Sequence, residues 1–299
     1  MLSLAPLRYR LAMDPASGPI GRVDSFNLPV LDRKMFHANA FLRPGLGRAQ
    51  KTNTVYGTAD GSGTHESAVV ARHMAISEAL ERWAFCDSLG SGNRATYGFD
   101  ADPSSNGMAA FPGFGTGRAR RAAWLEAIER HCLIGWWHGS VGSTRRPSPW
   151  NDIHALEFLH GFDDVSVVLL IRECEPDLIV YGHAAGESFE AACSRAIIEL
   201  VRSELVIRRH HALHPGPIDR GLSTVTDLLE RRCLFFSTAE GFRAVISRGR
   251  QFVREWRRPR VVFDGEITGP WTEFTTVWRV ALEPPTMEFL QKRDDWFFW

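Results

Sequence analysis

Apolar positions recur at helical spacing in three long stretches of the chain. From about Glu66 to Phe85, the residues Val69, Val70, Met74, Ala75, Leu80 and Phe85 form a helical stripe. A second helix is predicted from about Arg120 to Trp137 and a third from about Ser188 to Arg209. Val165 to Ile171 is a continuous β-branched and apolar run that predicts a buried strand, with Leu178 to Tyr181 as its partner. Further strands are expected at 260–263 and 275–280. The first 50 or so residues are rich in Pro and Gly and read as loops and short strands. Pro147 and Pro149 mark a break. Helices and strands interleave, so the class is α/β, with α+β as the other possibility.

The chain has 299 residues, enough for one large domain or two closely packed halves. Lys+Arg and Asp+Glu both number 35, so no net field attracts nucleic acid or an anionic membrane. The local basic run Arg254, Arg257, Arg258 and Arg260 is broken by Trp256 and Pro259 and reads as a solvated or partner-facing surface. The cysteines Cys86, Cys132, Cys174, Cys193 and Cys233 are scattered, odd in number and without a CxxC pair, which argues against a disulfide framework or a zinc ribbon. Cys132 and Cys193 fall within helices and read as small core residues. Neither a signal-type start nor a bilayer-length apolar run is evident, and a cytoplasmic location is expected.

The strongest chemical signal is internal. Glu78-Ala79-Leu80-Glu81-Arg82 recurs 48 positions later as Glu126-Ala127-Ile128-Glu129-Arg130, each copy after a glycine-containing loop. Residues three apart share a helix face, so Glu78 can point with Glu81 and Glu126 with Glu129. Each copy also offers a Glu–Arg pair at i,i+4, the kind that decorates any exposed helix and contributes only about 0.2–0.5 kcal/mol. If the two helices lie side by side, four carboxylates converge and repel unless protonated or neutralised. Magnesium, bridging carboxylates to phosphate oxygens, is the natural solution, with arginines holding phosphate through forked hydrogen bonds. Arg195 and Glu199 lie four apart on the third helix among small apolar neighbours, where a charge needs a partner.

With Ser105-Asn106-Gly107 between the two acidic helices and Arg195 to Leu200 after them, the chain resembles the YcaO-like family over about residues 55 to 210. The resemblance implies a single domain over 1–299 built of two pseudo-related halves. It would have amino-terminal loops to about residue 54, a motif-bearing core over 55–210 and a carboxy-terminal part over 211–299. It implies ATP and magnesium, with Glu78, Glu81, Glu126 and Glu129 as metal ligands. Ser62, Asn106, Arg130, Arg195 and Glu199 take the nucleotide-contacting positions. The implied activity is ATP-dependent activation of a peptide amide in ribosomal peptide biosynthesis. The amide oxygen is phosphorylated, and a Cys, Ser or Thr side chain closes on the carbonyl to give an azoline. Thioamide formation is the variant chemistry, and a degenerate, non-catalytic scaffold that binds a peptide or partner is the non-enzymatic alternative. Expected partners are a precursor peptide, a separate leader-binding or biosynthetic protein and, for a family often dimeric, a second copy or a hetero-complex. Nucleic acid and membrane are not expected.

Two departures bear on catalysis. The family's Gly-Lys-Gly is Gly61-Ser62-Gly63 here, which removes a phosphate-facing cation, and the loop after Ser105-Asn106-Gly107 carries no acid over Phe111 to Arg118. His210 and His214 share a helix face at metal-ligand spacing, with no acidic third ligand evident. The aromatic end Trp296-Phe297-Phe298-Trp299 is expected to fill the core of its own domain, with docking a partner or lining a peptide channel as the alternatives.

Overall fold

The amino-terminal region is more regular than its Pro and Gly content suggests. A computed structural model describes residues 5–47, 55, 57–113, 115–175, 178–216, 222, 225–248, 256–291 and 293–297. In place of loops and short strands it has helix α1 (Ala5–Ala12) and two long strands, β1 (Ile20–Val30) and β2 (Arg33–Leu42). The strands pair in register from Val30↔Arg33, leaving the two-residue turn Leu31-Asp32. Leu31 takes the left-handed conformation, at φ 52°. Turns of this length normally announce themselves by Asn or Gly, and here neither is present. The hairpin was therefore hidden in the sequence. Arg254, Phe114, Phe298 and Trp299, which figured in the expectations above, lie outside the described residues.

Two compact units divide the chain: Met1–Lys51, Thr58–Ala127 and Arg260–Glu283 form one, and Thr52–Gly57, Ile128–Pro259 and Pro284–Trp299 the other. In the first, β3 (Gly61–His65) joins β2 to give an antiparallel sheet in the order β1-β2-β3. Helix α2 (Ala68–Gly90) buries Ala71, Ala75, Ile76, Ala79 and Leu80. A second antiparallel sheet has the order β4 (Met108–Phe111), β10 (Thr276–Leu282), β9 (Val261–Ile267). One core draws on α2 and on both sheets, with Ala38, Ala40, Met108, Ile267 and Val277 all buried in it. The opening residues of helix α3 (Thr116–His138) belong to this unit and the rest to the second.

The second unit carries the antiparallel sheet β5 (Gly142–Arg146), β6 (His154–Leu159), β7 (Ser166–Glu175), β8 (Leu178–Gly186). The apolar run 167–171 is fully covered and pairs with β8, as the sequence predicts. Helix α4 (Phe189–Leu213) packs on this sheet and starts at Ser188, whose hydroxyl accepts the Ala191 N–H at 3.2 Å. Helices α5 (Leu228–Phe236) and α6 (Ala239–Arg248) follow. Phe297 sits among Trp136, Trp137, Tyr181 and Phe236, so the described part of the aromatic end is core. Cys132 and Cys193 are buried as expected. Every strand pairing among the described residues is antiparallel, which makes the mixed class α+β rather than a parallel α/β sheet. No helix among the described residues is long and apolar enough to cross a membrane.

The two units repeat one local arrangement. At equal spacing, Gly61, Glu66, Ser67, Ala71, Ala75, Ile76 and Glu78 recur as Gly182, Glu187, Ser188, Ala192, Ala196, Ile197 and Glu199. Each set runs from a strand into the helix that covers it. A Cβ at Gly61 would overlap the Ala75 carbonyl and the Ala79 nitrogen, and one at Gly182 the Ala196 carbonyl and the Leu200 nitrogen. Backbone lies directly on backbone in both places, which only glycine permits.

Candidate functional site: an acidic cluster and two anchored glutamates

In the first unit the charges of Glu78 and Glu126 both act on Glu81. Glu78 and Glu81 share a face of α2, one turn apart. Ser62 on β3 donates its backbone N–H to Glu78 Oε2 at 2.9 Å and its hydroxyl to the same oxygen at 3.2 Å. Arg82 donates to Ser105 Oγ at 3.1 Å. Glu78 and Arg82 thus turn to β3 and to the Ser105-Asn106-Gly107 loop rather than to each other across the helix surface. Glu81 is half-buried and accepts the Ala110 N–H of β4.

Burial raises the Glu81 carboxyl well above the usual carboxylate range, and the charges of Glu126 and Glu78 raise it further. Arg82 and the Ala110 amide oppose the shift without cancelling it. Glu81 remains partly open to solvent although protein surrounds most of it. The charge of a hard divalent cation would remove the repulsion that Glu126 and Glu78 exert on Glu81. Among the described residues no group of three or more His, Cys, Asp or Glu side chains is already gathered to hold a metal ion.

The loop between the acidic helices has its own architecture. Asn106 donates both its backbone N–H and its Nδ2 to Ser104 Oγ, each at 3.2 Å. Gly107 has φ 76° and accepts the Val280 N–H at 2.7 Å. A Cβ there would strike the Val280 carbonyl, so this position of the motif is fixed by both conformation and space.

In the second unit Glu129 is anchored at both oxygens. Oε1 lies 2.6 Å from His183 Nδ1, and Oε2 accepts the Ala185 N–H at 2.8 Å. Arg195 donates to the Ala185 carbonyl at 2.9 Å, so one β8 residue, Ala185, links Glu129 to Arg195 through its N–H and its carbonyl. Glu199 pairs with Arg202 at 2.8 Å and stands half in solvent. The Arg130 guanidinium lies over the Phe289 ring, 4.9 Å from its centre. His183 was not singled out from the sequence. The one available signal was the repeat, in which His183 occupies the place of Ser62 and, like it, holds a motif glutamate. The His210 and His214 rings lie 4.7 Å apart, and burial first, then the neighbouring histidines, lowers the His210 pKa. Comparison with protein-family models and with curated proteins gives no match.

Proposed function

We propose that this protein is an ATP- and magnesium-dependent enzyme of YcaO-like type that activates a peptide backbone amide, most simply for azoline formation. The observation that carries the reading is that Glu81 is held above the usual carboxylate range by burial first and then by the charges of Glu126 and Glu78. A carboxyl whose ionisation is disfavoured by burial and by neighbouring carboxylates is costly on a surface and useful to a metal–phosphate complex. The family resemblance adds Glu129 as the fourth proposed ligand. Ser62, Asn106, Arg130, Arg195 and Glu199 are the proposed nucleotide contacts. The metal would supply charge neutralisation at the phosphates.

The chemistry follows from leaving-group strength. Transfer of the γ-phosphoryl group of ATP to the amide oxygen yields ADP and converts that oxygen into part of a phosphate. A Cys, Ser or Thr side chain then bonds to the carbonyl carbon, the C–O bond breaks, phosphate departs, and the thiol or hydroxyl proton and the amide proton are lost. The protein's part is alignment and charge stabilisation. A precursor peptide and a protein that delivers it are the implied partners.

A second reading, a non-catalytic scaffold that binds a peptide or protein partner, is favoured by one observation. Glu129 and Ser62 already spend their hydrogen-bonding groups on protein partners. The two readings separate on magnesium-dependent ADP release with a cysteine-rich precursor peptide, comparing wild type with Glu126→Gln. Release by wild type alone supports the enzyme. No nucleotide binding by either protein sinks it and leaves the scaffold. Product mass identifies the chemistry, because azoline formation loses water while thioamide formation exchanges oxygen for sulfur.

A further inference from the structure

Arg279 on β10 is fully buried, and its guanidinium reaches three carbonyls of one loop. Nε donates to the Tyr97 carbonyl at 2.9 Å, Nη1 to that of Ser104 at 3.0 Å and Nη2 to that of Asp102 at 2.7 Å. The guanidinium carbon lies over the Phe99 ring, 3.8 Å from its centre. The rigid fork of an arginine is matched to several acceptors at once, which an ammonium on a flexible stem is not. Removing a fully buried cation from water is costly, and such a group persists where its hydrogen bonds are all supplied by fixed partners.

The clamped segment leads directly into Ser105-Asn106-Gly107. Next along β10, the Val280 N–H holds Gly107, and two residues earlier Val277 pairs with Ala110, whose N–H is given to Glu81. Within the clamped segment Asp102 Oδ1 accepts the Ser104 N–H at 3.0 Å, and the Ser104 hydroxyl in turn accepts both hydrogen bonds of Asn106. A chain of contacts therefore runs from the Arg279 guanidinium through Ser104 to the side chain of Asn106.

We infer that Arg279 is a positioning residue for the nucleotide loop. It fixes residues 97–104 so that Asn106 and Ser105 are presented in one conformation to the bound nucleotide, without itself touching the ligand. The inference rests on the proposed nucleotide site. It assigns β10, far along the chain from every acidic motif, a role in ligand affinity as well as in the core.

The test measures Mg-ATP affinity by calorimetry, thermal stability, and amide hydrogen exchange across 97–107, in wild type, Arg279→Lys and Arg279→Met. Expected is a weakening of Mg-ATP by about tenfold or more in both variants. Faster exchange should be confined to 97–107, and lysine should fail to rescue because it cannot span three carbonyls. If neither variant folds, Phe99→Leu keeps the guanidinium and removes its platform, and the same local pattern is expected in weaker form. Wild-type affinity with unchanged exchange in 97–107 overturns the inference. So does exchange that quickens throughout the first unit in step with a lower melting temperature, which is the mark of a purely structural arginine. A wild type that binds no Mg-ATP overturns the nucleotide reading itself and the role with it. Binding by wild type and by both variants alike removes only the role of Arg279.

Discussion

His183 Nδ1 stands 2.6 Å from Glu129 Oε1, which ties the last strand of the second unit's sheet to the second glutamate of the repeated motif. The Ala185 amide holds the other oxygen, so both carboxylate oxygens are bonded. His183→Ala should remove one charge-assisted bond and cost about 1.5–3 kcal/mol in urea denaturation. His183→Asn, which keeps a donor, should recover part of it. A loss below about 0.5 kcal/mol would show that the Ala185 amide alone suffices.

Glu81→Gln tests the acidic cluster. A neutral isostere removes the repulsion from Glu126 and Glu78 while keeping an acceptor for the Ala110 N–H. The metal-free protein should gain about 1 kcal/mol at pH 8, and, on the proposed metal site, magnesium should stabilise the wild type and not the variant. Thermal melts with and without magnesium read both effects. A variant less stable than wild type without metal would mean that the cluster does not strain the fold.

Gly61→Ala and Gly182→Ala should each be severely destabilising, by about 3 kcal/mol or more, because the new methyl meets backbone that cannot rotate away. Gly117→Ala, in the first turn of α3 with open space around it, is the control and should be neutral or slightly stabilising. Denaturant midpoints of the three variants decide the matter. Equal effects at all three positions would refute the close-packing account.

Asp264 supplies a pH dependence. Arg120 donates to it at 2.6 Å and the Trp278 indole at 2.7 Å, and the Arg120 hydrogen bonds, ahead of the indole, hold its pKa below the usual carboxylate value. A depressed pKa means that the unfolded chain takes up the proton first as pH falls. The stabilisation is therefore complete above the unfolded value and is lost as pH drops through the folded one. Arg120 is largely exposed, so the pair is worth only about 0.2–1 kcal/mol. Asp264→Asn should lower neutral stability by about 0.2–1 kcal/mol and flatten the acid limb of the stability profile below about pH 4, where the wild type loses the same contribution.

Sequence periodicity was enough for the three long helices and the buried strands of the second unit, because a helical stripe or an apolar run is a local property of the chain. The burial of Cys132, Cys193 and Phe297 followed from the same reasoning. The β1–β2 hairpin did not, since Leu31 carries a backbone conformation that its side chain does not advertise. The repeated Glu-Ala-Leu/Ile-Glu-Arg run named Glu78, Glu81, Glu126 and Glu129 without a structure. Only tertiary structure decided that Glu78 turns to Ser62, that Glu129 is held by His183, and that Arg279, remote in sequence, grips the loop leading to Asn106. Those partners lie on strands that meet the motif helices through long-range packing. No spacing rule connects them, because the contact is set by how sheet and helix stack rather than by distance along the chain.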